Sequence, residues 1–323
     1  MKKSLVVISA AAVVLTFGVV GCGAGESANS TGGNASVNVT SSPQNHATAP
    51  FPVTLKDDAG HMVTISKQPQ RIASTTEGTD EILTALVPKS RIVLVTSYAD
   101  EPQYSNVTSL VKGIPTISSA NAEQVIAAKP DLVLMASYTN QGVVRQIEQA
   151  GIPSYEFNDF TSIPEIEHNI KVVGKLVGSE QKATKLVQQM QTAIGAVQNA
   201  VKGQKKVTVL DYSSYGYVAG AATTVNNIIV DAGGINAAAK LNGWQEVSNE
   251  EIVKMNPQVI IDANDDKGFI QKILSNPALQ DVAAVKDHRV YAINSADLTS
   301  VSQYVTRGVQ DVAKVLYPNA KIA

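Results

Sequence analysis

The chain carries one segment pattern twice, and this repeat restricts the fold more than any other sequence feature. Residues 123–134 and residues 250–261 each begin with a glutamate, have a proline seven residues later and end in an apolar run typical of a strand. Stacked-repeat architectures need at least three units to bury their faces. Two copies therefore predict two lobes of similar construction with a cleft between them.

Strand and helix signals alternate in both halves of the chain. Residues 53–65 predict a hairpin with a turn at Asp57-Asp58-Ala59-Gly60. Predicted strands then alternate with helices, at residues 71–74, 91–96, 132–135, 154–157, 206–211, 259–262 and 289–293. Such alternation is typical of a parallel sheet covered by helices, so we expect an α/β fold with two Rossmann-like lobes, each around a central sheet.

Residues 163–201 separate the two halves and carry no strand signal. Their helical propensity is interrupted only at Gly178-Ser179, where glycine can close one helix and serine can cap the next. The second of these helices, over residues 180–201, would be about 33 Å long at 1.5 Å per residue. We therefore expect lobes at residues 51–162 and 204–323, joined through a long helix within residues 163–203.

The first 50 residues predict export and attachment to a membrane. An apolar stretch at residues 5–20 is shorter than the roughly 20 residues of a membrane span, so residues 1–21 are interpreted as a secretory signal. Cys22 follows Val-Val-Gly, which resembles the lipobox of bacterial lipoproteins, although leucine is more common at the position of Val19. The resemblance implies lipidation of Cys22; an incidental cysteine is the alternative. Residues 22–50 have the composition of a disordered tether.

Charge and cysteine content exclude several classes of protein. The whole chain has 26 basic and 28 acidic residues, and loss of residues 1–21 removes two of the basic ones, Lys2 and Lys3. The mature chain therefore has a larger acidic excess than the whole chain. This balance argues against nucleic acid or an anionic bilayer surface as the main partner, which leaves the lipid anchor as the membrane contact. One cysteine cannot form an internal disulfide. The remaining length, about 270 residues, suffices for two domains.

The order of the motifs resembles the substrate-binding lipoproteins of ABC importers for iron-siderophores, haem and cobalamin. The resemblance is carried by Pro69–Gly78, Asp80–Leu86, Ala122–Leu132, Asp231–Gly234, Glu250–Pro257 and Val285–Tyr291. It implies a bilobed class III binding protein that closes little on its ligand, on the extracytoplasmic face of a membrane. It also implies a monomer without catalytic activity or intrinsic cofactor, whose partner is a permease dimer with a cytoplasmic ATPase.

The resemblance assigns a role to the repeated glutamates. Glu123 and Glu250 match the two acidic residues that, in this family, dock onto arginines of the permease, one from each lobe. Carboxylate and guanidinium pair bidentately, and two contacts on a rigid body fix its orientation. The alternative is that each glutamate only stabilises the N-terminus of its helix.

Aromatic residues that follow predicted strands form the candidate ligand site. They are Tyr98, Tyr138, Tyr212, Tyr215 and Tyr217, and Trp244 joins them from the loop before the second repeated helix. Each offers a flat apolar face and a hydrogen-bonding tip, which suits a bulky chelate. In cobalamin binders that the chain resembles, the positions of Tyr98, Tyr138 and Trp244 line the cleft. Thr75 and Thr76, in the turn after the first strand, and Arg307, in the last helix, complete the candidates; a helix cap is the alternative role for the threonines.

Few cations are available to the predicted cleft, and this limits the ligand. A triply anionic catecholate complex needs several Arg or Lys side chains, and only Lys267 and Arg307 are suitably placed. The histidines lie outside the predicted cleft loops, which disfavours axial ligation of haem and capture of bare zinc or manganese. We therefore expect a ferric hydroxamate siderophore or a corrinoid, with haem as an alternative.

Two other functional classes predict sequence features that can be looked for in this chain. A secreted Ser-His-Asp hydrolase would carry Gly-x-Ser-x-Gly, which is absent, and a histidine after a strand. A tethered sensor or adhesin could have the same fold, but it would have no reason to present a matched glutamate on each lobe. These patterns favour the binding component of an importer over both.

Overall fold

A computed structural model describes residues 51–158, 160–265 and 268–322. The described chain begins with the hairpin of β1 (Val53–Lys56) and β2 (Met62–Ile65), in which Val53 is opposite Ile65. A sheet of five parallel strands follows in the spatial order β5-β4-β3-β6-β7. Its strands are β3 (Ile72–Ser74), β4 (Ile92–Thr96), β5 (Thr116–Ile117), β6 (Leu132–Ala136) and β7 (Ser154–Phe157). Its helices are α1 (Glu77–Leu86), α2 (Thr108–Val111), α3 (Ala122–Ala127) and α4 (Gln141–Gln149).

Two long helices follow the first sheet, α5 (Ile163–Val177) and α6 (Glu180–Ala200). Gly178 ends α5 in the left-handed conformation at φ 68°, as predicted. Ser179 precedes α6, but its side chain makes no capping hydrogen bond, so that part of the prediction is wrong. The backbone N–H of Ser179 instead donates to the Gly174 carbonyl at 2.7 Å, which closes the turn between the helices.

The second sheet has four parallel strands in the order β10-β8-β12-β13 and a separate antiparallel pair, β9 with β11. The strands are β8 (Thr208–Asp211), β9 (Tyr217–Ala219), β10 (Ile235–Asn236), β11 (Trp244–Glu246), β12 (Val259–Ala263) and β13 (Val290–Ile293). The helices are α7 (Thr224–Asp231), α8 (Asn249–Met255), α9 (Phe269–Ser275), α10 (Ala283–Lys286), α11 (Ser295–Leu298) and α12 (Val305–Leu316). The predicted α/β class with two Rossmann-like lobes and one long linking helix is confirmed.

The sheet topology places the ligand-binding edges. In the first sheet the strand order reverses between β3 and β6, and in the second between β8 and β12. Open α/β sheets bind ligands beyond the carboxyl ends of the strands at such a switch point. The loops after these strands are therefore the places to look for a site in each lobe.

A shared apolar core joins the two lobes along α6. One cluster of buried side chains contains residues of both lobes, such as Ile72 and Val309, together with Val187 and Ile194 of α6. Sliding one lobe past the other would expose apolar surface at about 25 cal/mol per Å². The core therefore favours a rigid connection between the lobes.

A buried carboxylate adds a polar link at the same junction. Glu81 on α1 accepts hydrogen bonds from the hydroxyls of Ser300 (3.2 Å) and Ser302 in the second lobe. The backbone N–H of Asn106 donates to its other oxygen at 2.8 Å. Next to this link a methyl group added at Gly78 would come within 2.7 Å of Val301 Cγ2, so the backbones approach closely there. Burial is the largest influence on the pKa of the Glu81 carboxyl, and it raises that pKa.

The structure corrects the limits of some predicted elements. The sequence pattern predicts the last helix over residues 302–316, but the helix begins at Val305, because Ser302 is buried and bonded to Glu81. The first helix begins at Glu77, three residues earlier than expected. The strands β5, β9, β10 and β11 were missed because two or three residues are too few to show alternation. No helix in the described part of the chain is long and apolar enough to cross a membrane.

Candidate ligand site and docking surface

A cavity of about 570 Å³ lies beyond the carboxyl ends of the strands in the first lobe. Its walls come from the loops after β3, β4, β5 and β6. They include Thr75, Thr76, Glu77, Tyr98, Ser118, Tyr138 and Asn140. Four of the residues predicted from the sequence, Thr75, Thr76, Tyr98 and Tyr138, are therefore brought together at the switch point.

Each of these side chains is held by a local turn. Thr75 donates its backbone N–H to the Leu134 carbonyl at 3.0 Å, which fixes the turn between β3 and its neighbour β6. Tyr98 lies in a short 3-10 helix directly after β4 and makes an edge contact with Tyr104, with ring centroids 5.4 Å apart. Tyr138 remains 81% exposed, so most of its ring is available to a ligand.

Glu77 also lines this cavity. It lies in the same turn as Thr75 and Thr76, but the sequence did not single it out as a ligand-binding residue. Burial, together with the nearby acids Glu81 and Asp80, raises the pKa of its carboxyl to about 10. Its Oε1 oxygen is buried and has no hydrogen-bond partner in the described residues. A neutral carboxyl in this position can donate a hydrogen bond to a ligand. The sequence signal that could have identified Glu77 was the spacing of Glu77, Asp80 and Glu81, which lie three and four residues apart on an otherwise buried helix.

The second lobe has a smaller cavity of about 120 Å³ at its own switch point. Its walls include Asp211, Ser213, Tyr215, Trp244, Asp262 and Thr299. Tyr215 is 80% exposed and Trp244 is 50% exposed. Two of the four aromatic residues predicted for this lobe, Tyr215 and Trp244, therefore share one cavity with two buried aspartates on the central strands β8 and β12.

Asp211 ends β8 beside β12, where Ile261 is its register partner. Burial, together with the neighbouring Asp262, raises the pKa of Asp211 to about 8. The carboxyl is therefore protonated in the folded protein at neutral pH. Neighbouring wall residues Ser213 and Thr299 add hydroxyl groups, so this cavity presents acceptors and neutral donors to a ligand.

We expect the pKa of Asp211 to make the protein less stable as pH rises. The folded state holds a proton that the unfolded state loses near the ordinary pKa of 3.8, so this contribution is complete below about pH 4 and is lost as pH approaches 8. The slope for one such group is about 1.4 kcal/mol per pH unit. Urea unfolding at pH 5 and pH 8 should show a smaller difference for Asp211→Asn than for wild type. The exposed Asp287→Asn is the control, and equal differences in all three proteins would contradict the expectation.

Three other candidates lie elsewhere. Tyr212 packs against Phe269 in the core of the second lobe, with ring centroids 5.3 Å apart. Tyr217 is 41% exposed on β9 but is not among the described wall residues of either cavity. Arg307 donates to Asn106 Oδ1 at 2.6 Å, and its guanidinium lies 4.5 Å from the Tyr304 ring centroid. These contacts tie Arg307 to the junction of the lobes, and its role toward a ligand stays a prediction, as does that of Tyr217.

The repeated glutamates occupy the same position in their helices. Glu123 is the second residue of α3, after the cap Asn121, and Glu250 is the second residue of α8, after the cap Ser248. Both side chains are exposed. Each helix leads through a left-handed residue and a proline into a central strand, with φ 50° at Lys129 and 43° at Asn256. The equivalence predicted from the repeat is confirmed.

Position also relates the glutamates to the cavities. The two helices directly precede β6 and β12, and the loops after β6 and β12 contribute wall residues to the two cavities. Bonds to its own backbone N–H and to Ser248 lower the pKa of Glu250, which keeps it ionised. Cys22 and Lys267, two other residues singled out from the sequence, lie outside the described residues.

Comparison with known proteins agrees with this architecture. A family model described as "Periplasmic binding protein" matches residues 72–296. An ABC transporter substrate-binding lipoprotein of Bacillus subtilis is 30% identical over 278 residues, which cover 83% of this chain and 87% of the relative. A cobalamin-binding protein of Halobacterium salinarum is 28% identical over 229 residues, 68% of this chain and 62% of that protein.

A solved structure shows the same arrangement of elements. A possible iron-binding, periplasmic solute-binding protein from Staphylococcus epidermidis superposes with a TM-score of 0.69 at 26% identity, covering 78% of this chain and all of that chain. The family match includes both switch points, α6 and both glutamates. The chain therefore belongs to the periplasmic binding protein family.

Proposed function

We propose that the protein is the extracytoplasmic substrate-binding component of an ABC importer and captures a neutral metal chelate between its lobes. The observation that carries this proposal is the pair of cavities at the switch points of the two sheets, with Tyr98 and Tyr138 on one lobe and Tyr215 and Trp244 on the other. Rings on both sides can enclose a large flat or globular guest, because each offers apolar area with a polar tip.

The charges of the cavity walls restrict which ligands can bind. Neither cavity has a Lys or Arg side chain among its described wall residues, whereas the second contains Asp211 and Asp262. A triply anionic ferric catecholate would lack there the cations it needs. A corrinoid, whose amide groups donate hydrogen bonds, suits these acceptors, and the cobalamin-binding relative supports this choice. A ferric hydroxamate is the second candidate, supported by the iron-binding structural neighbour. Haem remains the third.

Delivery to the permease is assigned to the matched glutamates. Glu123 and Glu250 lie in the same helical position on the two lobes, and each is exposed. Two carboxylates on a rigid frame can meet two arginines of a permease dimer and so fix the orientation of the cleft. Helix stabilisation by each glutamate does not compete with this role, since one exposed carboxylate can serve both.

The remaining features complete the proposal. Lipidation of Cys22 would hold the protein at the extracytoplasmic membrane surface, with the following residues as the tether, as the name of the Bacillus subtilis relative supports. The protein acts as a monomer that binds and releases its ligand without chemistry, alongside a permease dimer and its ATPase. The proposed domain limits are residues 51–162 for the first lobe, 163–203 for the helical connection and 204–323 for the second lobe.

Fluorescence of Trp244 tests the ligand proposal directly, because it is the only tryptophan in the chain. The protein is titrated with cyanocobalamin, a ferric hydroxamate, a ferric catecholate and haem, while calorimetry measures binding independently of ligand absorbance. We expect saturable quenching by the corrinoid or the hydroxamate and none by the catecholate. Tight catecholate binding would reject the neutral-chelate proposal, and binding without a fluorescence change would remove Trp244 from the site.

A further inference from the structure

The turn of the β1–β2 hairpin is fastened to the edge strand β7. The backbone N–H of Asp58 donates to the Glu156 carbonyl at 3.0 Å, and the N–H of Asn158 donates to Asp58 Oδ2 at 2.9 Å. The Tyr155 hydroxyl donates to the Lys56 carbonyl at 3.0 Å. These bonds hold the turn in one position against the strand.

Three side chains with metal-binding atoms meet where the turn crosses the strand. His61 Nδ1 lies 3.6 Å from Asp57 Oδ2 and 3.6 Å from Glu156 Oε1. One donor atom from each of the three residues lies within 4.8 Å of the other two. None of them is among the described wall residues of the two cavities, so the cluster is separate from the proposed ligand site.

Burial distinguishes this cluster from an ordinary group of surface acids. The side chains of Asp57 and Glu156 are 2% and 1% exposed. Glu156 Oε1 has no hydrogen-bond partner in the described residues, and it faces His61. A buried carboxylate oxygen is costly unless a cation or a hydrogen-bond donor compensates it. The arrangement therefore has a place for a positive charge between the three donors.

The spacing of the donors indicates which cation fits. Ligands of a tetrahedral zinc ion at about 2.1 Å lie about 3.4 Å apart. Neighbouring ligands of an octahedral magnesium ion lie closer, at about 3.0 Å. The two distances of 3.6 Å are near the zinc value. Magnesium and calcium also prefer sites made of oxygen alone, whereas zinc accepts one imidazole nitrogen with carboxylate oxygens.

A second layer of contacts orients two of the donors. Gln141 Nε2 donates to Glu156 Oε2 at 3.1 Å, which turns Oε1 toward His61. The His61 backbone N–H donates to Asp57 Oδ1 at 2.7 Å, which leaves Oδ2 for the centre of the cluster. The His61 side chain is 55% exposed, so an ion has a path in and water can reach the fourth position. Such outer contacts are typical of metal sites.

We propose that Asp57, His61 and Glu156 bind one zinc ion that joins the β1–β2 hairpin to β7. Asp57 Oδ2, His61 Nδ1 and Glu156 Oε1 are the three protein ligands, and water is the fourth. The ion is structural and is not the transported cargo.

Zinc titration of the untagged full-length protein, purified in detergent and freed of metal with EDTA, tests the proposal. We expect one bound Zn²⁺ per chain and a rise of Tm on addition of Zn²⁺. His61→Ala and Glu156→Gln should each weaken binding at least tenfold and abolish the rise of Tm. Co²⁺ should give the visible absorption of a tetrahedral site in wild type only. The exposed His168→Ala is the matched control and should behave as wild type.

Two results would overturn the proposal. If a protonated His61 alone balances the two acids, the wild type will bind no Zn²⁺ more tightly than His61→Ala does. Octahedral Co²⁺ spectra that are the same in wild type and His61→Ala would place the metal elsewhere. Should Glu156→Gln fail to fold, the decision rests on His61→Ala, because His61 is half exposed and circular dichroism verifies its fold.

Discussion

The double variant Glu123→Ala/Glu250→Ala is expected to lose import while it binds its ligand as tightly as wild type. Both carboxylates lie outside the described cavity walls, so their removal leaves the ligand contacts in place. Loss of a first-turn glutamate costs a helix about 0.3–1 kcal/mol, which is small against a typical stability of about 5–15 kcal/mol. The protein should therefore remain folded but be unable to dock.

Uptake of radiolabelled ligand by cells that carry the variant, with calorimetry of the purified protein, checks this expectation. Each single variant should reduce the rate at least tenfold, equivalent to about 1.4 kcal/mol of docking free energy. Glu180→Ala is the matched control, because Glu180 is also an exposed glutamate in the first turn of a helix. Normal uptake by the double variant would reject the docking role and leave only helix stabilisation.

Trp244→Ala is expected to weaken ligand binding about 60-fold, and Tyr138→Ala by a similar factor. Covering about 100 Å² of an exposed aromatic side chain stabilises a complex by about 2.5 kcal/mol. Trp244 is 50% exposed and Tyr138 is 81% exposed, so each has this area to lose on binding. Because the two residues belong to different lobes, losses at both would require a ligand that contacts both.

Calorimetry with the ligand identified by titration measures these effects. Tyr217→Ala tests the remaining candidate on β9, since Tyr217 is also exposed but lies outside the described walls of both cavities. Loss of affinity from the first-lobe variant alone would contradict capture between the lobes. An effect of Tyr217→Ala as large as that of Trp244→Ala would instead extend the site along β9.

Long periodic segments were predictable because local propensity and tertiary packing agree there. The helix predicted at residues 180–201 is found at Glu180–Ala200, and the second copy of the repeat yields α8 and β12 near the expected limits. The repeat also located two helix positions correctly, because a capped helix followed by a proline is specified by neighbouring residues. Short strands were missed because two paired residues depend on a neighbour that is distant in the chain.

The candidate site residues divide in the same way, into those that the local sequence could predict and those that depend on distant residues. Tyr98, Tyr138 and Tyr215 could be predicted because they follow strands, and Trp244 because it comes shortly before the second repeated helix. The topology brings them to two cavities, although Trp244 lies in β11 rather than in a loop. Tyr212 follows a strand as well, but it packs into the core. The buried acid Glu77 and the cluster around His61 were not nominated, since burial and convergence of distant residues leave no local pattern.

The sequence by itself determined the fold class, the doubled lobe, the long linking helix and the matched glutamates, because these follow from periodicity and capping within short segments. Tertiary structure alone decided which aromatic residues face a cavity, which carboxyl groups keep a proton and that His61 meets two buried acids. Those properties depend on desolvation and on distances between residues far apart in the chain, and both exist only once the chain has folded.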